Sequence, residues 1–408
     1  FRCLCIAEGL FFVCIFEYLI LDSMKTRLCV SICFLLISCS LLAQSDHYAK
    51  RRARVFAAID EDLAIFKNTG RDYVLPMQVN WNYYFLTGDL TEGAVLVMDG
   101  KNETSTIYRT QAQFGPEIKD IEGIKARPMT DLEKDLSRRL SRSKKLWIDF
   151  SAMINLEDSG IRLGNMSSIE NIAPAIHDMR KIKDDHEMEL LSHAIETTAA
   201  GLVEVMKAAE PGLNEKDFEL ILKYKFEKEG CEHLGFGIQA ASGPNSTHVH
   251  YGDNDRETQQ GDMMVFDVGA RSGYYSADIS RSFPVSGKFT KEQKEIYNLV
   301  LKAQKIAIEH MKPGEMIGIV SNKAMEALNN GLADLGLITD LDSRWQKRFW
   351  IQHGFFHHIG LVVHDVGGYD GILEPGMILT MEPGLYFPEG YLENALSRLT
   401  KTVDETEI

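Results

Sequence analysis

Two aspartates stand where an acid is costly. Asp267 interrupts the apolar run Met263-Met264-Val265-Phe266-Asp267-Val268, and Asp278 follows Tyr274-Tyr275-Ser276-Ala277 beyond a turn at Arg271-Ser272-Gly273. A lone buried carboxylate is unfavourable unless it is protonated, ion-paired or bound to a cation. A salt bridge to the nearby Arg281 would account for one of the two and a metal ion for both; the pair alone leaves both accounts open. Glu382, in Leu379-Thr380-Met381-Glu382-Pro383-Gly384-Leu385-Tyr386, is a third acid set in a short apolar strand pattern. Between these acids lie His353, His357, His358 and His364, four of the chain's 12 histidines. Neutral imidazole is the usual nitrogen ligand of divalent metals and a proton carrier near neutral pH. One histidine in an apolar strand is ordinarily a satisfied core residue, and His358 need be no more than that; the group is harder to explain so. His248 and His250 follow a turn at Gly243-Pro244-Asn245 and fall on a loop.

Two aspartates, one histidine and one glutamate make an oxygen-rich set with a single nitrogen. Such a set suits hard or borderline cations, Mn²⁺, Co²⁺ or Zn²⁺, better than a thiolate-type site would. Three acids exceed the charge of one divalent ion, so two ions are expected. A pair of metals about 4 Å apart can activate a bridging water and stabilise the oxyanion of a hydrolysed amide.

These residues need elements to hold them. The glycine turn between the two aspartates predicts a β-hairpin. Asp267 and Asp278 sit equally far from the turn centre as placed here, so they are expected directly opposite one another on one face. Upstream, Arg180-Lys181-Ile182-Lys183-Asp184-Asp185 opens an amphipathic helix over 186–209, stopped by Pro211-Gly212. A second helix is predicted over 215–229, ended by Gly230, and two more at about 290–312 and 316–335. The earlier region, 47–178, mixes signals: a helix over 48–63, strands at 83–88, 94–98 and 145–148, and a helix over 169–179. No catalytic cluster is legible there. The domain boundary is expected at 179–183, giving domains of 47–178 and 179–408.

The bulk composition limits the function classes. A net charge of −15 over 408 residues argues against a nucleic-acid surface. Six of the seven cysteines lie at or before Cys39, and only Cys231 lies in the body, so no disulfide framework holds the fold. From Met24 the chain reads as a signal peptide over 24–43: Lys25 and Arg27, then an apolar run from Leu28 to Leu42 too short to span a bilayer. Cleavage after Ala43 and lipidation of Cys39 are the alternatives, with a retained membrane anchor as the bland reading. Residues 1–23 precede the first methionine and read as translated upstream sequence. Export to the periplasm or the outside, free or lipid-anchored, is expected.

The phrases SADISRSFPVSGKF, HGFFHHIGLVVHDVG and LTMEPGLY, with Asp267, Asp278, His357 and Glu382 in that order, resemble the pita-bread metallopeptidases, and among them aminopeptidase P. The resemblance runs from about residue 48 to 392. It implies an α/β N-terminal domain followed by an α+β pita-bread catalytic domain. It also implies hydrolysis of the N-terminal Xaa-Pro bond of a proline-containing peptide, with two divalent ions, Mn²⁺ first, as cofactors. Asp267 would chelate one ion, Asp278 would bridge both, and His357 and Glu382 would hold the second. Glu382 would also act as general base, and His250, His353 and His364 would position the substrate and stabilise the intermediate. A homo-oligomer is implied too. Creatinase keeps the fold without metal ligands, and the ligands here argue against it. Prolidase shares the ligands and stays the alternative activity. The family's fifth ligand, a bridging glutamate in a phrase like I-R-I-E-D, has no counterpart up to Ile408, where Glu393, Glu405 and Glu407 lack its context. The expectation is a chain cut at its carboxyl end, with a weakened or inactive site. A non-catalytic domain that binds peptides or proteins is the reading of a different class.

Overall fold

A computed structural model of the protein describes residues 46–69, 79–110, 119–121, 123–151 and 168–391. The expected signal peptide, the upstream segment, Cys39, and Glu393, Glu405 and Glu407 with the helix start beyond Tyr391 lie outside the described residues. From His47 on, the described residues pack as one compact unit.

The first half is built on a six-stranded sheet. Helix α1 (Asp46–Ile59) leads into β1 (Leu63–Lys67), and the sheet is completed by β2 (Val95–Asp99), β3 (Thr104–Arg109), β4 (Lys125–Pro128), β5 (Lys145–Ile148) and β6 (Ser168–Asn171) in the order β4-β3-β2-β1-β5-β6. β1 pairs antiparallel with β2 and parallel with β5. Leu63, Ala64, Ile65 and Phe66 are all buried, so this central strand has no polar face to alternate with. That explains why the predicted helix over 48–63 overran: the apolar run LAIFK carries no period-two signal and merged with the helix before it.

The predicted strand over 83–88 is instead α2 (Trp81–Thr87). Asn80 caps it by accepting from the Asn82 and Tyr83 backbone N–H groups, and Gly88 ends it in the left-handed region. All seven helix residues are buried, and a helix buried on every side shows no amphipathic stripe, only an aromatic run that mimics a strand. The helix predicted over 169–179 divides into β6 and α4 (Ala173–Lys181), after α3 (Leu132–Leu140) on the sheet's other side.

The second half opens with α5 (Asp185–Ala208), whose Asp184–Glu187 capping box sets its start, and α6 (Glu215–Lys228), capped likewise by Asn214 and Asp217. Between α6 and the later helices run β7 (His233–Leu234), β8 (Gln239–Ser242), β9 (Met263–Val268), β10 (Ala270–Ser272), β11 (Tyr275–Ser276) and β12 (Ile279–Pro284). They form two three-stranded sheets, β12-β9-β8 and β11-β10-β7. Helices α7 (Lys291–His310) and α8 (Ile317–Asp334) pack on each other beyond them, followed by the short α9 (Gln346–Phe349). The core of the first half continues into the second: Ile172, Met179, Leu191, Tyr275, Ile359 and Leu361 share one buried cluster with Val55, Phe66, Tyr83 and Leu96. Among the described residues, no helix is long and apolar enough to cross a membrane.

Candidate metal centre

The hairpin forms, with its turn one residue later than expected. Arg271 pairs with Ser276 and Ser272 with Tyr275, so the turn centres on Gly273 and Tyr274, at φ +49° and +70°. Two consecutive positive φ values are the signature of a type I′ turn, and Tyr274 occupies a position that sequence rules reserve for Gly or Asn. The shift sets Asp267 opposite Ser280 and not opposite Asp278. Asp278 falls at the level of Gly269, two positions along, which keeps both carboxylates on the same face as a diagonal pair. Gly269 marks the break between the two sheets, and a Cβ there would lie 2.0 Å from the Ala277 carbonyl oxygen.

His357 and Glu382 meet by the same geometry. The segments around them pair antiparallel: Glu382 N–H donates to Phe355 O (2.9 Å), Thr380 N–H to His357 O (2.9 Å) and Ile359 N–H to Ile378 O (3.2 Å). His357 lies opposite Thr380, so Glu382 is its diagonal neighbour on one face. His357 Nε2 stands 3.1 Å from Asp278 Oδ2 and 3.1 Å from Glu382 Oε1. His358, on the other face of the same extended segment, is 1% exposed and sits near Lys183; burial first, and then that charge, push its imidazole down to about 4. It is a core histidine.

The electrostatics follow from burial. Asp267 is held well above the usual carboxylate range, first by desolvation and then by the charges of Asp278 and Glu382. Its oxygens accept from Gln239 Nε2 (2.7 Å) and Ser280 Oγ (3.1 Å). Arg281 donates to the Ser280 carbonyl (2.7 Å), so the expected alternative of an Asp267–Arg281 salt bridge is not what the structure shows. For His357, burial works to lower the pKa, but its hydrogen bonds to Asp278 and Glu382 prevail and raise it to about 10. For Glu382, burial works upward, and the hydrogen bond from His357 prevails and holds it low.

These groups line one cavity of about 1250 Å³, together with His250, His353 and His364. The His364 ring packs edge-on to His357 with centroids 4.3 Å apart, and His353 Nε2 lies 2.9 Å from the Tyr386 hydroxyl. The seven residues given a site role in the sequence, Asp267, Asp278, His357, Glu382, His250, His353 and His364, thus line one cavity. Sequence reasoning missed four that support them: Gln239 and Ser280 on Asp267, Thr380, whose hydroxyl donates to Glu382 Oε1 (3.0 Å), and Tyr386. Gln239 could have been found as the polar residue inside the apolar run from Ile238 to Ala241, and Ser280 once the register was known.

Three part-buried acids and a buried imidazole, buttressed by neutral donors, are chemically suited to hard or borderline divalent cations. Among the described residues no three such groups stand in the spacing of a ligand shell around one point; the imidazole and carboxylates are drawn into direct hydrogen bonds with each other.

Comparison with known proteins agrees with this chemistry. A model of metallopeptidase family M24 matches residues 189–403. An Xaa-Pro aminopeptidase of Haemophilus influenzae is 30% identical over 84% of this chain and 87% of its own length. The human Xaa-Pro dipeptidase is 34% identical over 55% of this chain and 51% of its own. The structure of Zn-substituted Escherichia coli aminopeptidase P in complex with product superposes with a TM-score of 0.76, at 26% identity, covering 84% of this chain and 87% of that one.

Proposed function

Because this chain belongs to metallopeptidase family M24 and is a hydrolase of the aminopeptidase P type, we propose that it removes the N-terminal residue from peptides whose second residue is proline, using two divalent metal ions. Its fold is that of the aminopeptidase P structures, an N-terminal α/β domain ahead of a pita-bread catalytic domain. The observation that carries the proposal is the convergence of Asp267, Asp278, His357 and Glu382 on the cavity that His250, His353 and His364 also line.

Asp267, Asp278, His357 and Glu382 are the residues that would hold the cations, Mn²⁺ first among them. Cations bound there would lower the pKa of a water and offset the charge growing on the scissile carbonyl oxygen. Glu382, kept ionised by His357 and Thr380, takes the proton from the attacking water. His250 and His364 donate hydrogen bonds to the tetrahedral intermediate, and His353, braced by Tyr386, orients the substrate carbonyl and proline ring. A cavity of this size admits more than a dipeptide.

The identity to the human dipeptidase favours a second reading, cleavage of Xaa-Pro dipeptides alone. One assay separates them: release of the first residue from an Xaa-Pro-Xaa tripeptide and from an Xaa-Pro dipeptide, with Mn²⁺ and with EDTA. Chelator-sensitive cleavage of the tripeptide is expected. Cleavage of the dipeptide alone would move the assignment to a dipeptidase. Binding of both without cleavage would leave a peptide-binding domain. Export rests on the basic and apolar stretch from Lys25 to Leu42; the mass of the mature protein distinguishes processing after Ala43 from lipidated Cys39, and an unprocessed chain removes that reading. The homo-oligomeric state is read by sedimentation.

A further inference from the structure

Glu215, at the first position of α6, is 0% exposed, and the site as described gives it no role. Its carboxylate accepts from Ser242 N–H (2.6 Å), Ser242 Oγ (2.7 Å), Asn245 Nδ2 (3.2 Å), the Tyr251 hydroxyl (2.8 Å) and Arg256 N–H (3.1 Å). Every one of these donors is uncharged, and every one lies on the single stretch from Ser242 to Arg256. A buried carboxylate must find its hydrogen-bond partners within the protein, and this one finds all of them on one loop.

The stretch it gathers is the loop that carries His250. The helix side closes the loop's far end as well: Asn214 Nδ2 donates to Asp255 O (2.8 Å) and Glu215 N–H to Arg256 O (2.9 Å). Within the loop, Tyr251 N–H donates to His248 O (3.3 Å), closing a turn in which His250 stands at φ +62°. A histidine at positive φ is strained and persists only where its surroundings over-determine it. His250 lines the cavity together with His364.

We propose that Glu215 is a positioning residue for the reaction: it ties both ends of the Ser242–Arg256 loop to α6 and so holds His250 in its strained place over the metal centre. Its effect on turnover rests on the aminopeptidase reading above; its effect on the loop does not.

Three measurements test it. First, Glu215→Gln keeps the volume but replaces an acceptor of five bonds with a group that must also donate. Amide exchange over residues 243–256 is expected to accelerate at least about tenfold in this variant, with β9 and α7 unchanged. Unchanged exchange overturns the proposal whether or not the chain cleaves any peptide. Second, kcat on the Xaa-Pro tripeptide is expected to fall about tenfold or more with KM within about twofold, the pattern of an interaction made in the transition state. Wild-type kcat in E215Q overturns it. Third, in a cycle with His250→Ala, the double variant is expected to lose no more than about threefold beyond H250A alone, because Glu215 acts through that ring. Losses that multiply in full would assign Glu215 a purely structural role. Should E215Q not fold, Tyr251→Phe removes one of the five donors and leaves Glu215 in place; faster exchange over residues 243–256 is expected in it too, and wild-type exchange in Y251F overturns the proposal. A chain with no peptidase activity in any variant sinks the function proposed above, while the exchange result still decides this one.

Discussion

At the scale of single residues, the site is a problem in repulsion. Asp267, Asp278 and Glu382 crowd together, and Asp267 bears the consequence in a carboxyl group displaced upward by burial and by the other two charges. Two charges about 4 Å apart repel by roughly 4 kcal/mol at the effective dielectric of a protein site, so the acids are tolerable only if something offsets them. Asp267→Asn removes the ionisable group, and with it the cost of burying or protonating it, without removing volume. In EDTA the variant is expected to melt higher than wild type, by about 1–2 °C for each kcal/mol relieved. Added Mn²⁺ is expected to raise the wild-type melting temperature by linkage and to leave the variant nearly unmoved. Activity should drop at least about 100-fold, because even outer-shell partners of metals are worth 10–100-fold. A variant that melts no higher in chelator, or answers Mn²⁺ as wild type does, would show that these acids share no cation. These residues were legible in the sequence because acids inside apolar strands and clustered histidines are rare enough to stand out. Their supports were not legible. Gln239, Ser280, Thr380 and Tyr386 are ordinary residues whose roles exist only once strand register is known.

At the scale of elements, register does the assembling. The long helices α5 to α8 were readable to within a residue or two because capping residues and Pro-Gly stops act locally. The hairpin was readable as a hairpin but not in its register, because Tyr274 takes a backbone conformation its residue type seldom adopts. The diagonal meeting of Asp267 and Asp278 depends on Gly269, where backbone passes close to backbone. Gly269→Ala would drive a methyl group into the Ala277 carbonyl and is expected to destabilise the fold by about 3 kcal/mol. It should also weaken Mn²⁺ binding, read by isothermal titration; a variant with wild-type stability and affinity would show that the junction is not held by that contact. α6 offers a pH test away from the site. Burial works to raise the Glu219 carboxyl, but hydrogen bonds from Lys216 (2.7 Å), Lys223 (2.6 Å) and Asn254 (2.9 Å) prevail and hold it at about 2. A folded-state pKa below the unfolded value means that the unfolded chain binds the proton more readily. The contribution is therefore complete above about pH 4.5 and fades as pH falls toward about 2. Urea midpoints taken from pH 6 to 3 should fall more steeply for wild type than for Glu219→Gln, and parallel profiles would refute this.

At the scale of the whole molecule, the sheet of the first half reaches the histidines of the cavity through buried polar contacts. Asn80 and Asn82 hold Asp149 at 2.9 and 3.1 Å, and Asn82 accepts from Arg180 Nη1 at 2.7 Å. The same guanidinium binds Asp365, which Lys183 Nζ also approaches at 3.4 Å. Asp365 is the neighbour of His364, and its N–H donates to His358 O at 2.8 Å, beside His357. Gly360 leaves room for this carboxylate, since a Cβ there would lie 1.9 Å from Asp365 Oδ2. The pair was invisible in sequence because its members are 185 residues apart and each is common in surface loops. With the Asp365 side chain 2% exposed and that of Arg180 4% exposed, removing one charge strands the others without solvent, which costs about 3–5 kcal/mol. Asp365→Asn leaves two cations facing no anion, whereas Arg180→Met leaves Asp365 with Lys183 still opposite it. The expected order of destabilisation in denaturant melts is therefore D365N greater than R180M. Because Asp365 fixes the backbone between His358 and His364, D365N should also lose kcat at temperatures where it remains folded, while Asn82→Ala, which removes a neutral amide and leaves Asp149 its bond from Asn80, should lose far less of either. Equal destabilisation by D365N and N82A would mean that the charges are not what binds the two halves.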